Sequence, residues 1–302
     1  MELELSKVGD GNTLSTWARR HNAGLIEDGS LPGSGVEIVT SPTAGDILIE
    51  DLESLGKLLP KVDAEVNDTC GLHVHVDARD FTQSDLRRVI VLYSAVERAC
   101  FELVSRTRMG NLYCQSCGRQ YLAMLENDKS KGHKDFRKHL HELLYSEQDA
   151  TEPSGHGPFD GRDVPKFKKE KYHYTRYYAL NLHSYFFRKT IEFRLHEAHL
   201  NPKVFINWSL FCGWIIEKAA TLSERQVFAL MSKHAKGNGE SLLADIMPKD
   251  AADWILERLH TRRAAREDGG SVESTNKRLS QYTIPSDTLK ADIWHTANKE
   301  SK

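Results

Sequence analysis

The sequence predicts an α+β fold: a mainly antiparallel sheet with helices on one face and an open acidic cup on the other. Four short segments alternate apolar and polar residues with the period of a half-buried strand. Their polar positions are mostly Glu, His and Arg, where a solvated face would usually mix Lys and Thr with Glu. Between them run apolar residues at helical spacing, enough to cover one face of a sheet.

Glu2-Leu3-Glu4-Leu5 sets two carboxylates against two leucines. Residues 6–34 are rich in Gly, Ser, Asn and Asp and read mostly as loop, with a short strand at Gly24–Glu27. Asp28-Gly29-Ser30 is turn chemistry that could also face a ligand. Gly35-Val36-Glu37-Ile38-Val39 places Glu37 opposite Val36 and Ile38. Thr40-Ser41-Pro42-Thr43 reads as a helix entry, and Ile47, Leu48, Leu52, Leu55 and Leu59 give a helical stripe over about 45–60.

The third segment runs from Cys70 to Asp77. Leu72, Val74 and Val76 point one way, and His73 and His75 the other. The two imidazoles are about 7 Å apart along the strand, at a rise of roughly 3.3 Å per residue. Such a pair makes a metal platform; a solvated or hydrogen-bonded pair is the alternative. Thr82, with Asp85 three residues on, caps a helix whose stripe includes Leu86, Val89, Ile90, Tyr93, Val96, Cys100 and Leu103.

Residues 105–176 read as an insertion. It holds Cys114-x-x-Cys117, a short amphipathic helix (Phe136, Leu140, Leu143, Leu144) and a Gly/Pro-rich loop at 151–165. One CxxC without a second ligand pair at finger spacing is weak evidence for zinc. The basic, aromatic run Lys166–Arg176 is either a solvated loop or a flexible phosphate-facing segment. Residues 177–183 alternate and are expected to form a strand joined by a short turn to 188–195. There Thr190, Glu192 and Arg194 oppose Ile191, Phe193 and Leu195. Val204, Phe205, Trp208, Phe211, Cys212, Ile215, Ile216 and Ala219 mark a core helix over about 203–222. Shorter helices follow at about 224–233 and 250–266, then a tail.

The chain has 302 residues, enough for one large domain or two small ones. A formal charge of −2 supplies no overall basic field for nucleic acid. No apolar run reaches the roughly 18 residues of a membrane span. The N-terminus is an acidic strand, so no secretory signal is expected. Five cysteines, an odd number, fit a reducing compartment, and a cytoplasmic location is expected.

If the four segments share a sheet, its polar face gathers Glu2, Glu4, Glu37, Glu192, His73, His75 and Arg194. Like charges on one sheet face are destabilising. Arg194 alone is too little for four carboxylates. Divalent cations with oxygen and imidazole ligands would compensate. Without them, like-charge proximity is expected to raise the carboxylate pKa values. The alternative is a solvated face of independent charges. No Walker A sequence is present, which excludes a P-loop mechanism.

The order of motifs resembles the amidoligase family of carboxylate–amine ligases, which is related in fold to glutamine synthetase and glutamate–cysteine ligase. The matching pieces are Glu2-Leu3-Glu4, Asp28-Gly29-Ser30, Gly35 to Pro42, Cys70 to Val76, and Ala179-Leu180-Asn181-Leu182 leading to Thr190-Ile191-Glu192-Phe193-Arg194. They span roughly residues 1–222. The resemblance implies a glutamine synthetase catalytic-domain-like sheet cupping ATP and Mg²⁺ or Mn²⁺. The catalytic domain would cover 1–266, with 105–176 inserted and a C-terminal tail at 267–302. It implies Glu2, Glu4, Glu37, His73 and Glu192 as metal ligands, and Arg194, His75 and Glu192 as catalytic residues. Lys171 and Arg176 of the basic run, with Asn181 and Arg194, are the expected nucleotide-binding residues. The implied reaction joins amino-acid, peptide or protein carboxylates to amines through an acyl phosphate. Two other readings stay open: a His/Glu metal-dependent hydrolase, and a non-catalytic binding protein on the same fold.

Overall fold

The computed structural model describes residues 1–27, 29, 31, 35–126, 140, 144, 174–235, 237 and 239–267. Asp28, Ser30, Phe136, Leu143, the 151–165 loop, Lys171 with most of the basic run, and the tail beyond 267 lie outside the described residues.

Six strands form one antiparallel sheet: β1 (Glu2–Leu5), β2 (Gly24–Ile26), β3 (Val36–Val39), β4 (Gly71–Asp77), β5 (Leu180–Asn181) and β6 (Thr190–Glu197), in the order β2-β3-β1-β4-β6-β5. Directly opposed residues share a face. Leu3 opposes Ile38 and Leu72, and Val74 opposes Phe193, which builds the core face. Glu4 opposes Glu37, Glu2 opposes His73, and His75 opposes Glu192, which builds the other. The fold is α+β, as the alternation predicts.

One irregularity sets the phase of β6. Between Leu72 and Val74 the partner positions run from His196 to Phe193, so β6 carries an extra residue. A bulge of this kind shifts the alternation. His196 therefore sits opposite Leu72, instead of continuing the series Thr190, Glu192, Arg194. Its ring lies against Trp208, centroids 5.0 Å apart, and burial brings its pKa down to about 4.

Ten helices accompany the sheet among the described residues: α1 (Gly11–Arg20), α2 (Gly45–Leu58), α3 (Gln83–Leu103), α4 (Arg106–Met109), α5 (Gly118–Glu126), α6 (His183–Arg188), α7 (Pro202–Thr221), α8 (Glu224–His234), α9 (Glu240–Ile246) and α10 (Lys249–Glu267). The Thr82/Asp85 capping box opens α3 as expected. Tyr93 of α3 meets Phe193 of β6 edge-on, and Trp208, Phe211 and Ile215 of α7 are fully packed. No described helix is long and apolar enough to cross a membrane.

Three local expectations are corrected. Residues 11–20 are helical, not loop: Asp10 accepts the Thr13 N–H at 3.0 Å, and Leu14, Trp17 and Ala18 are buried. The Thr40–Thr43 run does not cap α2, whose N-cap is Ala44 with no side-chain bond. Thr40 Oγ1 instead accepts from the Met1 amine at 2.9 Å, and Ser41 donates to the Asn22 carbonyl at 2.6 Å. The link into β6 is α6 rather than a short turn. Asn181 Oδ1 accepts the Ser184 N–H at 3.2 Å near its start, and Lys189, at φ 65°, ends it.

Residues 106–126 pack onto α3 and reach β6. Cys114 Sγ donates to the Arg108 carbonyl at 3.4 Å, and Cys117 Sγ to Glu97 at 3.5 Å. Burial pushes both thiols up. No group of potential metal ligands among the described residues includes either one. Glu97 also accepts the N–H groups of Cys117 and Gly118, each at 2.9 Å, and so caps the start of α5.

Candidate metal and anion site

The charged face of the sheet centres on Glu2. His73 Nδ1 lies 3.4 Å and His75 Nε2 3.3 Å from Glu2 Oε2. The same two nitrogens lie 4.0 and 3.7 Å from Glu192 Oε1. Both are buried and lack a hydrogen-bond partner, because their approach to the carboxylates is close but not aligned. Single atoms of Glu2, Glu37 and His73 all lie within 4.8 Å of one another, and so do those of Glu2, His75 and Glu192. Two unsatisfied imidazole nitrogens facing shared carboxylates form a donor set that fits divalent ions.

Gly71 makes room for this arrangement. A Cβ there would stand 2.6 Å from His73 Nε2 and 3.2 Å from Glu4 Oε2. The Gly71 N–H donates to Glu4 Oε2 at 2.5 Å, which ties that carboxylate to the backbone. Glu4 thus belongs to neither ligand group, and its other oxygen is 3.8 Å from His73 Nε2. His75, expected beside substrate, stands within one of the groups. Its Nδ1 is 2.9 Å from Thr190 Oγ1, which Ser184 Oγ meets in turn at 2.8 Å.

Glu2 and Glu192 do not show the raised pKa values expected from like charge. Burial pushes Glu2 up, but His73 and His75 outweigh it and hold the carboxyl well below the ordinary range. Burial likewise opposes ionisation of Glu192, and Arg194, then His75 and His73, bring it down to about 2. The correction has a plain cause: the two imidazoles and the Arg194 guanidinium stand close beside these carboxylates and favour their charged form. Arg194 Nη1 pairs with Glu192 Oε1 at 2.5 Å, and Arg188 Nη1 with Glu2 Oε1 at 3.0 Å.

Residues 10–216 match the family model described as "putative amidoligase enzyme". The chain belongs to the amidoligase family. That description indicates a ligase forming amide bonds. The match begins beyond β1, so the family model does not cover Glu2 and Glu4, which the structure places on the cavity. No curated protein and no solved structure matches the chain.

In this amidoligase chain a cavity of about 700 Å³ opens over the charged face. Glu2, Glu4, Glu37, His73, Glu192, Arg194, Arg176 and Asn181 all line it. Asn181 is engaged within the protein, donating to Glu192 Oε2 at 2.6 Å. Arg176 lies over the Tyr177 ring, 5.3 Å from its centroid. Lys171 falls outside the described residues. Sequence reasoning missed Arg188, Arg108 and Tyr113, which also line the cavity. They sit on or beside helices that carry no recognisable motif. The acidic and basic groups are partly segregated: Glu27, Glu37 and Asp68 belong to the β2–β3 end or the loop before β4, while Arg176, Arg188 and Arg194 come from the β5–β6 end.

Proposed function

We propose that this chain is an ATP-dependent carboxylate–amine ligase that works through an acyl phosphate, on a glutamine synthetase-like fold spanning residues 1–266. The observation that carries the proposal is the pair of buried nitrogens without a hydrogen bond, His73 Nδ1 and His75 Nε2, set against Glu2, Glu37 and Glu192, where Glu2, Glu37, His73 and Glu192 line an open cavity flanked by arginines. Zinc-type hydrolysis is less favoured, because carboxylate oxygens dominate the donor set and the surrounding guanidinium groups suit phosphate.

Glu2, Glu37, His73, His75 and Glu192 would hold Mg²⁺ or Mn²⁺, which neutralise phosphate charge during phosphoryl transfer. Arg194 supplies donors for the phosphoryl oxygens. Its planar fork is fixed by Glu192 and by the Tyr113 carbonyl at 3.3 Å. A carboxylate oxygen of the acid attacks the γ-phosphorus, and ADP leaves. The amine nitrogen then attacks the acyl carbon, and inorganic phosphate leaves. Glu27 and Asp68 at the cavity wall attract the ammonium form of the amine and can accept its proton. Substrates are amino-acid, peptide or protein carboxylates and amines. Five free, buried cysteines support work in a reducing cytoplasm.

The test is ADP release with Mg²⁺ across a panel of acids and amines. Release that needs both an acid and an amine is expected. Release independent of either, or metal-dependent hydrolysis without nucleotide, would refute the ligase reading.

A further inference from the structure

Arg108 is a buried cation whose partners account for only part of its guanidinium. Its side chain comes from α4, inside the stretch that reads as an insertion, and the residue is 2 % exposed. Nε donates to the Leu195 carbonyl at 3.2 Å and Nη2 to the Arg194 carbonyl at 2.8 Å. Both acceptors are neutral backbone groups at the β6 bulge. Among the described residues no carboxylate lies within ion-pair distance of Arg108, and Nη1 has no hydrogen-bond partner. Yet the residue lines the cavity. Removing an arginine from water without a direct ion-pair partner is costly. Arg194 and Arg188, by contrast, each hold a carboxylate.

The position is specific as well. Arg108 Nη2 is 3.2 Å, and His73 Nε2 2.6 Å, from the point where a Gly71 side chain would begin. The guanidinium therefore borders the Glu4–His73 end of the charged face, whereas Arg194 and Arg188 border Glu192 and Glu2. We propose that Arg108 is an anion-binding residue of this cavity, taking an oxyanion (carboxylate or phosphoryl oxygens) on Nη1 while Nε and Nη2 grip the bulge. The inference rests on the ligase reading only for the choice of oxyanion; the binding itself requires no turnover.

The bulge contacts give Arg108 a second consequence. The same guanidinium that meets the anion holds the carbonyls of Arg194 and Leu195, so anion binding and the aim of Arg194 share one rigid fork.

The experiment uses the full chain without nucleotide or metal. Tripolyphosphate serves as the phosphate probe and glutarate as the carboxylate probe, with binding read by calorimetry and by thermal shift. Wild type is expected to bind at least one of them, and which one binds identifies the source of the oxyanion. Arg108→Gln should weaken that binding on the order of tenfold or more, the scale of a lost charge-assisted hydrogen bond. Arg108→Lys, which keeps charge but not the fork, should fall between. Failure of wild type to bind either probe overturns the proposal, and so does unchanged affinity in Arg108→Gln. If the variants do not fold, a crystal structure of wild type with the bound probe decides: an oxyanion oxygen on Arg108 Nη1 is expected, and an anion seated elsewhere overturns the assignment. Absence of acid- and amine-dependent ADP release with anion binding intact would refute the ligase reading while leaving this one standing.

Discussion

At the scale of single residues, Arg194 and Gly71 make separable predictions. Arg194→Lys keeps the charge beside Glu192 but loses the planar fork. Turnover should fall on the order of 10²-fold or more, since one transition-state donor is typically worth about 3 kcal/mol. Thermal melting should move little. Wild-type ADP release in this variant would remove Arg194 from the chemistry. Gly71→Ala adds a methyl 2.6 Å from His73 Nε2. The ring must shift, so Mn²⁺ affinity should drop at least tenfold while the circular dichroism spectrum stays native; calorimetry reads the first and rules the idea out if affinity is unchanged. The residues of the alternating strands were legible in the sequence, because a period of two assigns faces without any knowledge of partners. Arg188 and Arg108 were not: each reaches the site from a helix, and nothing local in the sequence says where that helix will lie.

At the scale of elements, the β6 bulge decides the environment of His196. Sequence alternation alone would have grouped it with Glu192 and Arg194, and a bulge leaves no reliable local signature. Its folded pKa of about 4 lies below the usual value near 6.5, so the fold favours the neutral ring. The sign follows: stability from this group is complete above pH about 6.5 and is lost as pH falls toward 4. Between pH of about 7.5 and about 5, wild type should lose about 2 kcal/mol more than His196→Gln in urea denaturation. Parallel pH profiles for the two proteins would count against the buried neutral ring. Helix α1 is the second lesson. Its polar composition hid it as loop, although Asp10 with Thr13 is a cap signal. Asp10→Ala should cost about 1 kcal/mol, measured by the same method.

At the scale of the whole molecule, the sheet brings together side chains from Glu2 to Arg194, and the helices fill its other face with the core. Strand pairing joins positions that no local pattern connects, which is why the pair groups around Glu2 emerge only in three dimensions. The charged face should behave as a ligand-stabilised unit. A divalent ion at one hundred times its dissociation constant adds about 2.7 kcal/mol to stability. The ligase reading depends on such ions binding at Glu2, the residue common to both ligand groups. The direct measurement is Mn²⁺ titration followed by electron paramagnetic resonance, on wild type, Glu2→Gln and the cavity-wall control Asp68→Asn. Two bound Mn²⁺ per chain are expected in wild type and in Asp68→Asn, with binding at both positions lost in Glu2→Gln. Mn²⁺ binding in Glu2→Gln equal to wild type, or none in wild type, would contradict a metal site on this face.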